Sequence, residues 1–444
     1  MNRFLGTKTK ILPDIKQVLK SLPLNGGRIC DIFSGSLAVS LFLKRQGYGV
    51  IANDINALSF SFSQAYLIPN AIPQLRVGRL LRGLSARQVA DVEGSARTLV
   101  ESQRKTYDAE NRYGEFKSWT HYSETIRSLS VILAFLEEGH RVAEPKVQLR
   151  ADIAEHYTKT GRKSHYRSLR GRSGKRNYFS FQNARRIDFI LSHIRHWWHE
   201  GSLDVQAKYT LLCVLLDSME RCANTNGTYH DFQRNGYEER ARQPYRTWFP
   251  NYFGLLHGRR KHWSGCEDSL QFIKRAPRHD VLYIDPPYNF RQYTAYYHLP
   301  NFVVRYPDIE DLEKYLSELE YVRGQNMAED FASPFSNRER FIESLNDLIS
   351  MARCRFVILS YFDGVNHWNR FLEEDNSKGY RFLTQYFLTS NLFRRKSLRV
   401  VPVNRTNYQS QNGHAAKKVT EYLFVAERNA KESTPAKRQK HVFA

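Results

Sequence analysis

Cysteine is scarce in this 444-residue sequence: the five thiols at 30, 213, 222, 266 and 354 form no C-x-x-C pair and no Cys/His set with zinc spacing. That argues against a disulfide framework or a thiolate metal site, and the cysteines read as free thiols of a reducing cytoplasm. Long apolar runs are missing too, since no stretch approaches the roughly 20 residues a membrane span needs. The opening Met1-Asn2-Arg3-Phe4-Leu5-Gly6-Thr7-Lys8 reaches lysines and a proline before any apolar run of signal-peptide length. A cytoplasmic location and no membrane partner are therefore expected. Acidic residues are in deficit, 45 Asp and Glu against 67 Lys and Arg, for a formal charge of +22. Cations clustered along a groove gain free energy by releasing counterions from phosphates, so the excess points to nucleic acid, with a solvated basic surface as the alternative. Neither G-x-G-x-x-G nor G-x-x-x-x-G-K-[ST] occurs, which disfavours a pyrophosphate ligand. No internal repeat is visible.

What is present fits a globular chain of one large or two smaller domains, with 41% hydrophobic and 13% aromatic residues. Apolar positions Ile11, Leu12, Ile15, Val18, Leu19 and Leu22 have helical spacing, with Pro13 tolerable in the first turn. Arg28–Phe33 reads as a buried strand, Ser34-Gly35-Ser36 as a tight turn, Leu37–Lys44 as a helix and Tyr48–Asn53 as a second strand, a unit whose crossover makes the strands parallel. A helix is expected over Leu58–Leu67. From about 76 to 262 the pattern is helical and charged. Strand signals return at Asp280–Ile284 and Arg355–Leu359, with a capping box at Ser336-Asn337-Arg338-Glu339 opening a helix to about Ala352. Leu398–Val403 and Val419–Val425 suggest an antiparallel hairpin.

Three constellations carry chemistry. Asp31-Ile32-Phe33-Ser34-Gly35 sits at a strand-to-helix turn, with Asp54 ending the next strand. A small residue lets backbone approach a ligand, and an acid there can accept both ribose hydroxyls, although a glycine turn is also common packing. Asp285-Pro286-Pro287-Tyr288 follows an apolar strand directly and is the more specific signal, its plain alternative being a proline-rich turn. Between His156 and Ile187 ten cations, among them Arg162, Lys163, Arg167, Arg170, Arg172, Lys175 and Arg176, occur without one acid. Tyr157, Tyr166, Tyr178, Phe179 and Phe181 interleave with them, as unpaired bases require of a stacking surface; a solvated loop is the alternative.

With these residues the chain resembles the D12-type, Dam-like N6-adenine DNA methyltransferases, in their alpha order of motifs and in the branch related to type IIS restriction-modification methylases. Phe4-Leu5-Gly6-Thr7-Lys8 is similar to the opening motif, whose lysine and aromatic contact the methionine part of the cofactor. Asp31–Gly35 resembles the main cofactor turn and Asp54 the ribose acid, while Cys266-Glu267-Asp268 resembles the segment beside the cofactor's adenine, where a helix cap explains Asp268 nearly as well. Further similarity lies at Tyr178-Phe179, Asn183, Ile187 and Asp188, at Ala223–Tyr229, at Arg291–Tyr293 and Tyr296–Leu299, at Ser360-Tyr361 and at Glu421–Val425. Pro300-Asn301-Phe302 and Phe362 depart from the family pattern.

The resemblance implies an α/β fold: a Rossmann-like S-adenosylmethionine-dependent methyltransferase sheet, mostly parallel, with an inserted, mainly helical target-recognition domain. Residues 1–75 and 263–427 would form the catalytic domain, 76–262 the insertion and 428–444 a basic disordered tail. It further implies site-specific N6 methylation of a flipped-out adenine in duplex DNA. Asp285, Pro286, Pro287 and Tyr288 are the catalytic set, and Phe4, Lys8, Asp31, Phe33, Gly35, Asp54 and Asp268 the cofactor set. S-adenosylmethionine is the methyl donor, no metal is needed, and a cognate restriction endonuclease is a candidate partner. Cytosine N4 methylation and a silent DNA-binding protein on the same fold are the rivals. Asn224–Gly227 reads as a turn, and His298 either shapes the base pocket or packs a helix.

Overall fold

The computed structural model describes residues 4, 6–24, 26–109, 118–139, 147–168, 171–252, 255–256, 260–288, 292–319, 321–362, 368, 378–406 and 418–429. Arg170 and nearly all of the expected tail lie outside the described residues. Among these residues there are nine strands: β1 (Arg28–Asp31), β2 (Gly49–Asn53), β3 (His165–Arg167), β4 (Ser173–Lys175), β5 (Trp263–Gly265), β6 (Val281–Ile284), β7 (Phe356–Phe362), β8 (Arg399–Thr406) and β9 (Lys418–Glu427). The chain forms two compact units. A sheet unit holds Thr7–Ile55, Arg260–Arg291 and Ala332–Ala444, and a helical unit holds Met1–Gly6, Asn56–Arg259 and Gln292–Phe331. The expected insertion, 76–262, falls in the helical unit apart from its last three residues, and that unit also takes in 56–75 and 292–331.

In the sheet unit seven strands lie in the order β5-β2-β1-β6-β7-β9-β8. The first five pair in parallel, while β9 is antiparallel to both β7 and β8, so β9 is inserted between them. This is the mostly parallel sheet with an antiparallel end that the resemblance implies. All four residues of β6 and all five of β2 are buried, which is why these strands read as unbroken apolar runs rather than alternating ones. Cys30, Ile32, Leu282, Ile284, Val357 and Leu359 share one core cluster with the helix Phe341–Met351, which buries Phe341, Ser344, Leu345, Leu348 and Ile349 at the spacing of one helical face.

The expected first helix forms at Leu12–Lys20 with Pro13 in its first turn, and the helix after β1 at Ala38–Arg45. The capping box does not form. The helix begins at Phe341, with Arg340 at its cap and no side-chain cap bond, because Ser333-Pro334 first directs a short 3-10 turn over Pro334–Ser336. Strand order places β1 between β2 and β6, so the chain leaves β1 in one direction and returns on its other side. The carboxyl ends of β1 and β6 therefore flank the switch point where open α/β sheets bind ligands.

The helical unit is built on Phe181–His199, capped by Ser180 accepting from Asn183 N, and Val205–Arg221, capped by Asp204 accepting from Ala207 N at 2.7 Å. Asp188 anchors a third helix, Asp152–Tyr157, by accepting from Ile153 N at 2.7 Å and Ala154 N at 3.0 Å. Burial pushes its carboxyl up to about 8 against these two donors. The basic run is not a featureless loop: β3 and β4 pair antiparallel as a two-stranded ribbon, with Ser168 N donating to Arg172 O at 2.7 Å.

Candidate active site

The turn after β1 is held open by unusual backbone. Gly35 has φ +47° and Leu37 φ +58°, and a left-handed leucine is strained unless its surroundings require it. Leu37 N donates to Ser34 O at 2.7 Å and Ser34 N to Asn53 O at 2.9 Å, which ties the turn to the end of β2. Asp54, immediately past β2, accepts from Gly35 N at 2.8 Å. Two of the expected cofactor residues thus meet directly. Phe33 is half-buried, its ring edge-on to Phe335 with centroids 5.1 Å apart.

Asp31 closes β1 with 1% of its surface exposed and accepts from Ser40 Oγ at 2.7 Å. Burial pushes its carboxyl up to about 7; the Ser40 bond opposes this, and the charges of Asp285 and Asp54 add to it. Asp268 caps the helix Ser269–Arg275, accepting from Leu270 N at 3.1 Å and Gln271 N at 3.3 Å. Phe4 lies in the helical unit, where its ring stacks on Tyr297 with centroids 4.6 Å apart and planes within 3°.

Asp285 begins the loop directly after β6. In parallel register Ile284 opposes Leu359, so Ser360 follows alongside the loop. Pro286 is buried, Pro287 half-buried, and Ser336 Oγ reaches Pro287 O at 3.5 Å. Tyr288 lies edge-on to Tyr361, centroids 5.5 Å apart. Lys8 Nζ is 2.9 Å from Asp285 Oδ1, and it also donates to Glu421 of β9, which in turn accepts from Ser360 Oγ at 2.6 Å. Lys8 is 5% exposed and Glu421 0%, against 18% for Asp285. Burial alone would lower the Lys8 pKa, but Asp285 and Glu421 together hold it well above the ordinary lysine value. Lys8, expected at the cofactor, therefore stands as the counterion of two carboxylates.

The sheet unit thus gathers three carboxylates, Asp31, Asp54 and Asp285, past the carboxyl ends of β1, β2 and β6, with a rigid proline pair and an aromatic ring beside one of them. The profile of the D12 class N6 adenine-specific DNA methyltransferase family matches residues 4–137 and 177–351, well over half of the chain. The chain belongs to this D12 class. Membership in a methyltransferase family implies S-adenosylmethionine as donor in general, and it does not favour the cytosine N4 or silent-binder rivals. Among relatives, modification methylase StsI of Streptococcus sanguinis is 27% identical over 58% of this chain and 35% of its own length. Type II methyltransferase M.NlaIII of Neisseria lactamica is 32% identical over 43% of the chain and 53% of its own length. Type II methyltransferase M.FokI of Planomicrobium okeanokoites is 23% identical over 99% of the chain and 55% of its own length. The chain spans about half, or less, of the length of these relatives.

The D12 profile leaves out 138–176, where most of the expected DNA cations lie. Arg167 on β3 and Arg172 just before β4 are exposed, as are Arg162, paired with Glu155, and Lys163, 3.7 Å from Glu313. Lys175 is half-buried with Nζ 3.3 Å from Gly161 O. Arg176 stands apart. It is 1% exposed, and its guanidinium donates to Leu319 O at 2.5 Å, Tyr321 O at 2.9 Å and, at 3.4 Å, to the carbonyls of His156 and Lys163. That side chain straps the helical unit together and does not face solvent.

Asn224 is likewise buried and bonds Asn177 O at 2.9 Å and Glu238 N at 3.0 Å, as a turn residue would. His298 is buried between Ala295 O and Arg323 O, at 3.1 and 2.9 Å, which favours packing over a base pocket. Among the described residues no cluster of His, Cys, Asp or Glu could hold a metal ion, and no helix is long and apolar enough to cross a membrane. Residue-level reasoning missed Glu421 as a site residue. The available signal was an acid just before the apolar stretch Tyr422–Ala426 of β9.

Proposed function

We propose that this chain is a site-specific DNA methyltransferase that moves a methyl group from S-adenosylmethionine to N6 of a flipped-out adenine, as the modification component of a restriction-modification system. The observation that carries the reading is Asp285 and the Pro286-Pro287 pair at the switch point of the sheet, with Lys8 bound to the carboxylate. The adenine amine is a poor nucleophile because its lone pair is delocalised into the ring. The Asp285 carboxylate, paired with the Lys8 ammonium, and the Pro286 carbonyl are both pure acceptors. Together they take the two N6 hydrogens and favour a pyramidal nitrogen whose lone pair faces the donor. Proline fixes φ near −65° and has no N–H, so two in succession hold that carbonyl rigidly. Tyr288 offers a ring for the extruded base.

The donor set past β1 and β2 fits S-adenosylmethionine: Asp54 for the ribose hydroxyls, Phe33 and Asp268 for the adenine side, and a strained Gly35–Leu37 backbone that permits close approach. Lys8 and Asp31 complete the proposed cofactor set within the sheet unit. The bound cofactor supplies a methyl carbon activated by a sulfonium, so positioning and dipoles carry most of the acceleration. Arg162, Lys163, Arg167, Arg172 and Lys175 of the helical unit are proposed to contact phosphates of duplex DNA. A flipped base costs a few kcal/mol of lost stacking, which such contacts offset.

The test is transfer of labelled methyl to duplex DNA, followed by digestion to nucleosides. N6-methyladenine is expected, and no transfer across diverse DNAs by folded protein would refute the reading. Asp285→Ala is expected to abolish transfer while DNA affinity stays within a few-fold. An active variant would remove Asp285 from its role.

A further inference from the structure

A lysine paired with Asp285 already neutralises that carboxylate, yet the sheet places a second, fully buried carboxylate on the same ammonium. Glu421 is 0% exposed, bonds Lys8 Nζ and accepts from Ser360 Oγ at 2.6 Å, so its charge is both desolvated and fixed in direction. Burying an extra anion is costly, and neutrality does not require it. Its position follows from strand register. β9 runs antiparallel to β7 with Glu421 opposite Phe362 and Leu423 opposite Ser360, which carries the acid to the edge where the loop after β6 begins.

Resting on the methylation reading above, we infer that Glu421 is a positioning residue for Asp285: it draws the Lys8 ammonium toward itself, orients Asp285 through Lys8, and keeps Asp285 a strong acceptor for the adenine amine. With Lys8 devoted to Asp285 alone, the carboxylate would be a weaker base and would polarise N6 less. The second carboxylate shares the cation and restores that basicity. The groups facing Lys8 are Asp285, Glu421, Tyr288 and Tyr283, and Asp31 adds a further charge near Asp285. Of these, Glu421 is held by the Ser360 hydroxyl and the Lys8 ammonium and has no acceptor role of its own in the proposed reaction.

The experiment compares the wild-type chain with Glu421→Gln and Glu421→Asp in methyl transfer to duplex DNA at saturating S-adenosylmethionine. Glu421→Gln is expected to lower kcat about 10- to 100-fold, the usual loss for the outer partner of a working side chain, with KM for DNA within a few-fold. Glu421→Asp, which keeps the charge on a shorter stem, recovers part of the rate. A packing role predicts the reverse order, with the isosteric glutamine the better enzyme, and that result overturns the inference. Should Glu421→Gln fail to fold, Ser360→Ala loosens Glu421 without removing it. A kcat lowered a few-fold at constant KM supports the inference, and an unchanged kcat overturns it. Wild-type protein that transfers no methyl at all overturns the methylation reading and this inference with it, whereas active wild type with indifferent Glu421 variants overturns this inference alone.

Discussion

Replacing Asp31 by asparagine isolates a pH-dependent contribution that burial creates. In the folded chain the Asp31 carboxyl is raised from 3.8 to about 7, first by burial and then by the charges of Asp285 and Asp54. A folded-state pKa above the unfolded one means that the native protein binds a proton the unfolded chain has released. The contribution is therefore complete below the unfolded value, falls as pH rises, and is gone once pH passes the folded value. Each unit of difference is worth 1.36 kcal/mol, so the whole span amounts to about 4 kcal/mol, and about 2 to 3 kcal/mol of it disappears between pH 5 and pH 7. Asparagine has no proton to lose, and its carbonyl can still accept from Ser40 Oγ. Wild type should therefore lose stability relative to Asp31→Asn across that interval, seen as a melting temperature that drops by several degrees more than the variant's. Above pH 7 the variant should be the more stable protein. Parallel melting curves for the two proteins from pH 5 to pH 8 would refute the reasoning.

Arg176→Met should destabilise the helical unit by about 2 to 4 kcal/mol, since the carbonyls of Leu319 and Tyr321 lose a charged donor in a buried place; denaturant unfolding measures it, and the folded variant should bind duplex DNA as wild type does. Arg167→Ala with Arg172→Ala should instead leave unfolding within about 0.5 kcal/mol, both side chains being exposed. Their effect belongs to DNA affinity, which should weaken for every sequence alike and lose about one unit of salt dependence per phosphate contact removed, as fluorescence anisotropy over a salt series would report.

The contrast between these arginines shows what a sequence can and cannot carry. Arg167, Arg172 and Arg176 are chemically identical members of one acid-free run, and only the fold distinguishes two exposed cations from a buried strap whose carbonyl partners lie 143 and 145 positions away. By contrast β1, β2 and β6 were legible because strands covered on both faces are written as continuous apolar runs, and the acids that end them fall at the carboxyl edge by the geometry of parallel sheets. Asp285 could be placed from its neighbours alone. Glu421 could not, since nothing within β9 tells which strand it joins or in what register. The capping box at Ser336–Glu339 matched a local pattern that the preceding Ser333-Pro334 turn outweighed. The ribbon β3–β4 escaped notice because three-residue strands rich in Arg, Ser and Gly have little apolar periodicity.

The insertion of β9 between β7 and β8 has a consequence for how the enzyme comes into being. Lys8 precedes every described strand, yet one of its two counter-charges arrives 413 positions later, on β9. A chain halted before β9 lacks one of the two carboxylates that face the Lys8 ammonium. Assembly of the Lys8, Asp285 and Glu421 cluster is thereby tied to synthesis through β9, and a chain cut short of it keeps the Lys8–Asp285 pair without the second carboxylate.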